Sequence, residues 1–156
     1  MIELKTAMGT ALQIEHLVLD YNGTIATDGT LIAGVDALIE ELARSVTVHI
    51  LTADTHGTVA AQVDRLPCTI ELIPAGPEDV AKQACIRRLG GAVTACVGNG
   101  RNDRLMLREA ALGIAVIGRE GASADALDGA DIVVTSIIDA LELVLNPLRL
   151  LATMRV

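Results

Sequence analysis

Four polar side chains stand where short apolar runs end or where a helix should begin. Asp20 closes the run His16–Asp20 and is followed by Tyr21-Asn22-Gly23-Thr24. Thr52 closes Thr47–Thr52 and leads into Ala53-Asp54. Lys82 comes five residues after Pro77, and is one of two lysines in a chain with ten arginines. Such a bias sets a compact ammonium apart from the planar guanidinium used elsewhere. A fourth run ends in Gly98-Asn99-Gly100-Arg101-Asn102-Asp103. The chemistry these types can share is phosphoryl transfer. A carboxylate attacks phosphorus to give an acyl phosphate. A hydroxyl, backbone N–H groups and a fixed cation hold the non-bridging oxygens. A divalent metal offsets the repulsion between carboxylate and phosphate. Asp20 is then the nucleophile, Thr52 the hydroxyl, Lys82 the cation and Asp103 a second carboxylate for magnesium. Gly23 lets the backbone pass close to the phosphate, with its N–H expected to turn inward. Singly each residue has a plainer reading as a cap, a turn or a solvated charge. Four in order at successive strand ends are more than packing requires.

The elements that must position them are legible as an alternation. Apolar runs at His16–Asp20, Thr47–Thr52, Thr69–Leu72, Thr94–Gly98, Gly113–Ile117 and Asp131–Thr135 predict strands buried on both faces, hence a parallel sheet. Apolar residues three and four apart predict helices between them: Val35–Leu42, Val59–Leu66, Glu78–Leu89, Asn102–Ala110, Ser123–Leu127 and Ile137–Leu145, with a C-terminal helix after Pro147. Ile2–Lys5 and Ala11–Ile14 alternate about Met8-Gly9-Thr10 and predict a hairpin. The expectation is a single α/β domain over 1–156: a doubly wound, mainly parallel Rossmann-like sheet with helices on both faces and an N-terminal β-hairpin. In such sheets ligands bind past the carboxyl ends of the strands.

Composition narrows the function. The net charge is −8, and Tyr21 is the sole aromatic among 156 residues. Neither a basic phosphate-backbone binder nor an aromatic stacking platform fits, so nucleic acid is excluded. No apolar stretch reaches the roughly 20 residues that span a bilayer. Cys68, Cys85 and Cys96 are odd in number and widely spaced, which suits buried free thiols and a cytoplasmic setting.

At this point the residues resemble the haloacid-dehalogenase (HAD) superfamily of aspartyl-phosphate hydrolases. The matching motifs are Asp20-Tyr21-Asn22-Gly23-Thr24, Ile50-Leu51-Thr52, the helix-borne Lys82, and Gly98 to Asp103, a span of about residues 14 to 136. Within the superfamily the pattern is similar to the phosphorylation domain of P-type ATPases, through Thr52-Ala53-Asp54, the Pro77-to-Lys82 lead and Gly-Asn-Gly-Arg-Asn-Asp. The resemblance implies a magnesium-dependent phosphatase with catalytic Asp20, Asn22, Thr52 and Lys82. Phosphate would lie against Gly23, Thr24, Thr52, Ala53 and Lys82, and the metal against Asp20, Asn22, Asn99 and Asp103. The partner would be a small phosphorylated molecule or a phosphoprotein, and a homo-oligomer stays open.

Two positions depart from the family. Asn22 stands where the acid/base aspartate is usual, and a carboxamide neither gives nor takes a proton, so dephosphorylation should be slow. Asn99 stands where a metal-binding aspartate is common. A non-catalytic or weakly catalytic phospho-acceptor is therefore the alternative to an enzyme. A receiver-like module is disfavoured because nothing acidic precedes Asp20 on its strand, and a dinucleotide fold because no glycine-rich turn follows it. The segment between Asp20 and the first helix is too short for a sizeable cap. Its flap, Thr27–Ile32, packs either on a partner subunit or on its own sheet. Asp54 either serves the site or caps a helix. His16 and His49 read as core or edge residues; His56, just past Thr52-Ala53-Asp54, either reaches the mouth of the site or has no part in it.

Overall fold

Short β-branched and leucine-rich runs prefer extended backbone when both faces can be buried, and the chain uses six of them that way. The computed structural model describes residues 1–5, 11–54 and 57–154. Its elements in order are β1 (Ile2–Lys5), β2 (Ala11–Ile14), β3 (His16–Asp20), β4 (Ala26–Thr27), β5 (Thr30–Leu31), α1 (Val35–Leu42), β6 (Thr47–Thr52), α2 (Thr58–Val63), β7 (Cys68–Leu72), α3 (Glu78–Leu89), β8 (Thr94–Gly98), α4 (Arg104–Glu109), β9 (Leu112–Val116), α5 (Ala124–Gly129), β10 (Ile132–Val134), α6 (Ile137–Leu145) and α7 (Pro147–Met154). The main sheet has the order β10-β9-β8-β3-β6-β7. Every neighbouring pair is parallel.

Alternation along β3 shows why helices lie on both faces. Leu17 and Leu19 join the core made with α1, α2, α6 and α7. Val18 joins the opposite core, with Cys85 and Ile86 of α3, Met106 and Leu107 of α4, and Ala126 of α5. Successive side chains of a strand point to opposite faces, so one strand feeds two aliphatic cores. The expected doubly wound α/β architecture is present. β3 lies between β6 and β8, with Asp20 level with Leu51 and Leu19 level with Val97. That is the switch point of the sheet, where the chain leaves in both directions and a crevice opens.

The N-terminal hairpin is present: β1 and β2 pair antiparallel, Leu4 opposite Leu12. Its expected turn, Met8-Gly9-Thr10, lies outside the described residues. Some element ends differ from expectation. The helix expected from Asn102 is a 3-10 turn, Arg101–Asp103, followed by α4. Asp103 accepts hydrogen bonds from the N–H groups of Asn99 and Gly100, at 2.9 and 2.8 Å, and this tight turn occupies the first residues. The flap is a hairpin of β4 and β5 around Asp28 (φ 50°) and Gly29 (φ 75°), the two left-handed residues of a type I′ turn. Gln62 of α2 accepts from Leu31 N–H (2.8 Å) and donates to the Gly29 carbonyl (2.6 Å). Leu31 and Ile32 pack on the core, so the flap lies on its own chain. Among the described residues, no helix is long and apolar enough to cross a membrane.

His16 and His49 sit on the α3 side of the sheet, His16 Nδ1 3.1 Å from His49 Nε2. His49 Nδ1 faces Glu71 Oε1 at 3.5 Å. Burial holds the His49 imidazole below its ordinary range; His16 and Arg88 add to this, and Glu71 opposes it. A base whose folded pKa is depressed supports the fold above its unfolded pKa, about 6.5, and loses that support as pH falls through the folded value. Urea midpoints should therefore fall between pH 7.5 and pH 5, and His49→Gln should flatten that fall.

Candidate functional site

The carboxyl ends of β3, β6 and β8 bring the expected residues together with the second turn of α3. Lys82 Nζ donates to Asp20 Oδ1 at 2.6 Å and to Asp103 Oδ1 at 2.7 Å. Thr24 Oγ1 lies 2.9 Å from Asp20 Oδ2 and 3.1 Å from Asn99 Oδ1, a shared hydroxyl donor. Asn99 Nδ2 donates in turn to the Gly121 carbonyl, at 3.0 Å. Asp20, Thr24, Thr52, Lys82 and Asp103 are all buried, whereas Asn22 and Ala53 are exposed at the rim. A cavity of about 260 Å³ opens here, bounded by Asp20, Asn22, Thr52, Ala53, Glu78, Lys82 and Asn99.

Local structure explains the convergence. The chain leaves β3 through a tight loop in which Thr24, Ile25 and Ala26 N–H groups all turn back to the Tyr21 carbonyl. Gly98 ends β8, and a Cβ there would lie 2.6 Å from the Asp103 carboxyl carbon. α3 is laced to the loop after β8 by Asn102 Nδ2 donating to Glu78 Oε2 (2.7 Å) and by the Arg104–Asp79 ion pair (2.7 Å). Lys82 and Asp103 are thereby held on one rigid unit.

The inward-turned N–H expected of Gly23 is corrected by the structure: that N–H donates to the Ala26 carbonyl at 2.9 Å. The glycine is needed for another reason. Its φ is +79°, and a Cβ would lie 2.5 Å from Asn99 Nδ2. Gly23→Ala should cost about 1–3 kcal/mol through backbone strain and a displaced Asn99, measurable by urea denaturation. Thr52 Oγ1 accepts from Asp54 N–H at 3.1 Å. Asp54 Oδ2 accepts from Thr58 Oγ1 (2.8 Å) and Val59 N–H (2.7 Å), so it braces the start of α2. His56 lies outside the described residues.

Electrostatics follow from two buried carboxylates and one ammonium. Burial pushes the Asp20 carboxyl up to about 7; Asp103 adds to this, and Lys82 and Thr24 oppose it. Burial pulls Lys82 down, but Asp20 and Asp103 outweigh it and hold the ammonium above its ordinary value. A cation arriving beside Asp20 would favour its ionised, nucleophilic form.

Glu78 and Asn102 also bound the cavity, and the motif spacing had given neither a role. The available signal was that Glu78 lies four residues before Lys82 and so shares its helix face. A larger hollow, about 590 Å³, lies beside the flap along Gly23 and Thr24, but Asp20, Thr52, Lys82 and Asp103 do not line it. Converging ionisable groups mark the site better here than concavity does.

No family model matches the chain. An uncharacterised protein of Methanocaldococcus jannaschii is 56% identical over 59 residues, which is 38% of this chain and 63% of that protein. The chain thus spans less than two-thirds of the curated relative it matches. Among solved structures, the 3-deoxy-D-manno-octulosonate 8-phosphate phosphatase of Moraxella catarrhalis, in complex with magnesium, phosphate and KDO, superposes with a TM-score of 0.71. It is 17% identical, with 91% of this chain and 94% of that one covered. A Legionella pneumophila protein described as a HAD-superfamily (subfamily III A) hydrolase gives 0.72 at 18% identity, over 92% and 88%. A zinc-transporting PIB-type ATPase in its E2.Pi state gives 0.61 at 28% identity, over 79% of this chain and 21% of that one. Superposition of about nine-tenths of the chain on the first two of these structures gives it the fold of the HAD-superfamily hydrolases.

Proposed function

We propose that the protein is a phosphatase of small phosphorylated molecules, acting through an aspartyl-phosphate on Asp20. The observation that carries this reading is the single ammonium of Lys82 held between the carboxylates of Asp20 and Asp103, at the buried wall of a cavity that Thr52 also lines. Asp20 attacks phosphorus, and the phosphate ester oxygen leaves. Lys82 and the Thr52 hydroxyl hold the equatorial oxygens, and the exposed rim at Asn22 and Ala53 admits substrate. Phosphatases of this fold that contain magnesium, phosphate and KDO, or cobalt, support the reading.

The residues fit a hard divalent cation, magnesium in this proposal. Among the described residues no group of three or more His, Cys, Asp and Glu is placed to hold a metal, so amide and main-chain oxygens must contribute. Asp103 accepts from Lys82 and two N–H groups, so it anchors Lys82 as well as offering an oxygen to the ion. The remaining oxygen donors are Asp20, Asn99 and the Asn22 main chain. When bound, the ion would neutralise the transferring phosphate.

Incubation with an aryl phosphate and magnesium should release phosphate, with covalent label on Asp20 after an acid quench. Absence of both would overturn the reading. The exposed carboxamide of Asn22 favours a second version, a phospho-acceptor that turns over slowly: label without steady release would select it. Asn22→Asp restores an acid/base group and should speed breakdown of the label, read by a chase after rapid removal of the donor.

A further inference from the structure

We propose that Glu78 is the proton acceptor for the water that cleaves the aspartyl-phosphate, the function Asn22 cannot perform. The inference rests on the reading above. Among the described residues that line the cavity, few side chains exchange protons. Asp20 is esterified at that stage. Lys82 keeps its proton beside the Asp103 carboxylate, 2.7 Å away. Tyr21 is buried and donates its hydroxyl to the Gly29 carbonyl at 3.1 Å, away from the cavity. Asn22, Thr52, Asn99 and Asn102 have no useful pKa. Glu78 remains.

Its placement suits the task. Glu78 and Lys82 are four residues apart on α3, so both reach the crevice from one helix face. Glu78 is only partly buried, so it can pass its proton on to solvent. Asn102 Nδ2 fixes Oε2 at 2.7 Å, which orients the carboxylate while its other oxygen can hold water. A carboxylate repels phosphate at direct contact, and it belongs one water away from phosphorus. In the step, a water oxygen bonds to phosphorus and the bond from phosphorus to the Asp20 oxygen breaks. The Asp20 carboxylate leaves with that bond's electron pair, and the water proton passes to Glu78 and then to bulk water. No oxidant or further reactant is consumed.

Position in the first turn of α3 gives Glu78 a purely structural alternative, through the helix dipole and Asn102. The test separates the two. The full chain, with magnesium, is labelled by acetyl phosphate, whose leaving group needs no proton. Breakdown is then followed. Glu78→Gln retains an oxygen to accept from Asn102. It should still label and should break down about 10²-fold more slowly or worse. In the Asn22→Asp background a carboxylate is restored, and Glu78→Gln should slow breakdown by no more than about threefold, the non-additivity of groups sharing one task. Glu78→Asp should recover part of the rate. The proposal is overturned if Glu78→Gln breaks down at the parent rate, if it slows breakdown equally in both backgrounds, or if His56→Gln produces the loss instead. Failure of the parent protein to label on Asp20 would overturn the phosphatase reading, and this inference with it.

Discussion

Lys82→Met should destabilise the protein by about 3–5 kcal/mol at pH 8, because it strands two buried carboxylates without a counter-charge. Asp103 is fully buried and Asp20 nearly so, and both bond the same Nζ. Methionine fills the space, so packing is not the cause. The penalty should shrink at pH 5, where Asp20, pushed up to about 7 even with the lysine present, takes up a proton. Urea denaturation at the two pH values reads both numbers, and adding Asp20→Asn to Lys82→Met should return much of the loss. A loss under about 1 kcal/mol at pH 8 would mean that the ammonium is not what keeps these carboxylates buried. Arginine is not an equivalent replacement, since its planar fork does not fit between oxygens arranged around a point charge.

Asp20→Asn should abolish labelling and lower phosphate release by roughly 10⁴-fold or more, the scale of losing a covalent nucleophile. The same variant should be folded, and without metal it should tolerate alkaline pH better than the parent. Asp20 has a folded pKa of about 7 against an ordinary 3.8. A group raised in this way supports the fold fully below its unfolded value, and that support is lost as pH rises through the folded one. Replacing the ionisable oxygen removes that loss. Retained labelling in Asp20→Asn would move the nucleophile elsewhere. Equal sensitivity of the two proteins to pH 9 would contradict the buried-charge account.

The sheet was legible because its strands are buried on both faces, and burial of that kind writes an uninterrupted apolar run such as Leu17-Val18-Leu19. The strand ends were legible because Asp20, Thr52 and Gly98 break those runs with polar or small residues. The site's connections were less so. The sequence shows that Gly23 needs conformational freedom, but not whether its N–H meets a ligand or its own loop. That depends on the return of the chain to Ala26. The Asp28-Gly29 pair did carry a local turn signal, of the type I′ kind, hidden by strands only two residues long. Glu78 lies within the Pro77-to-Lys82 lead, where its type alone assigns it no role, because its significance is its address: one helical turn before Lys82, across from Asn102. Address of that kind appears only when α3 is docked on the sheet.

Tyr21 sits directly after the proposed nucleophile, 1% exposed, in a protein without tryptophan or phenylalanine. Its ultraviolet absorption and emission are therefore a built-in optical reporter, undiluted by any other chromophore of its class. Titrating a phosphate mimic or a divalent salt and watching this signal would read occupancy with no dye, tag or engineered label.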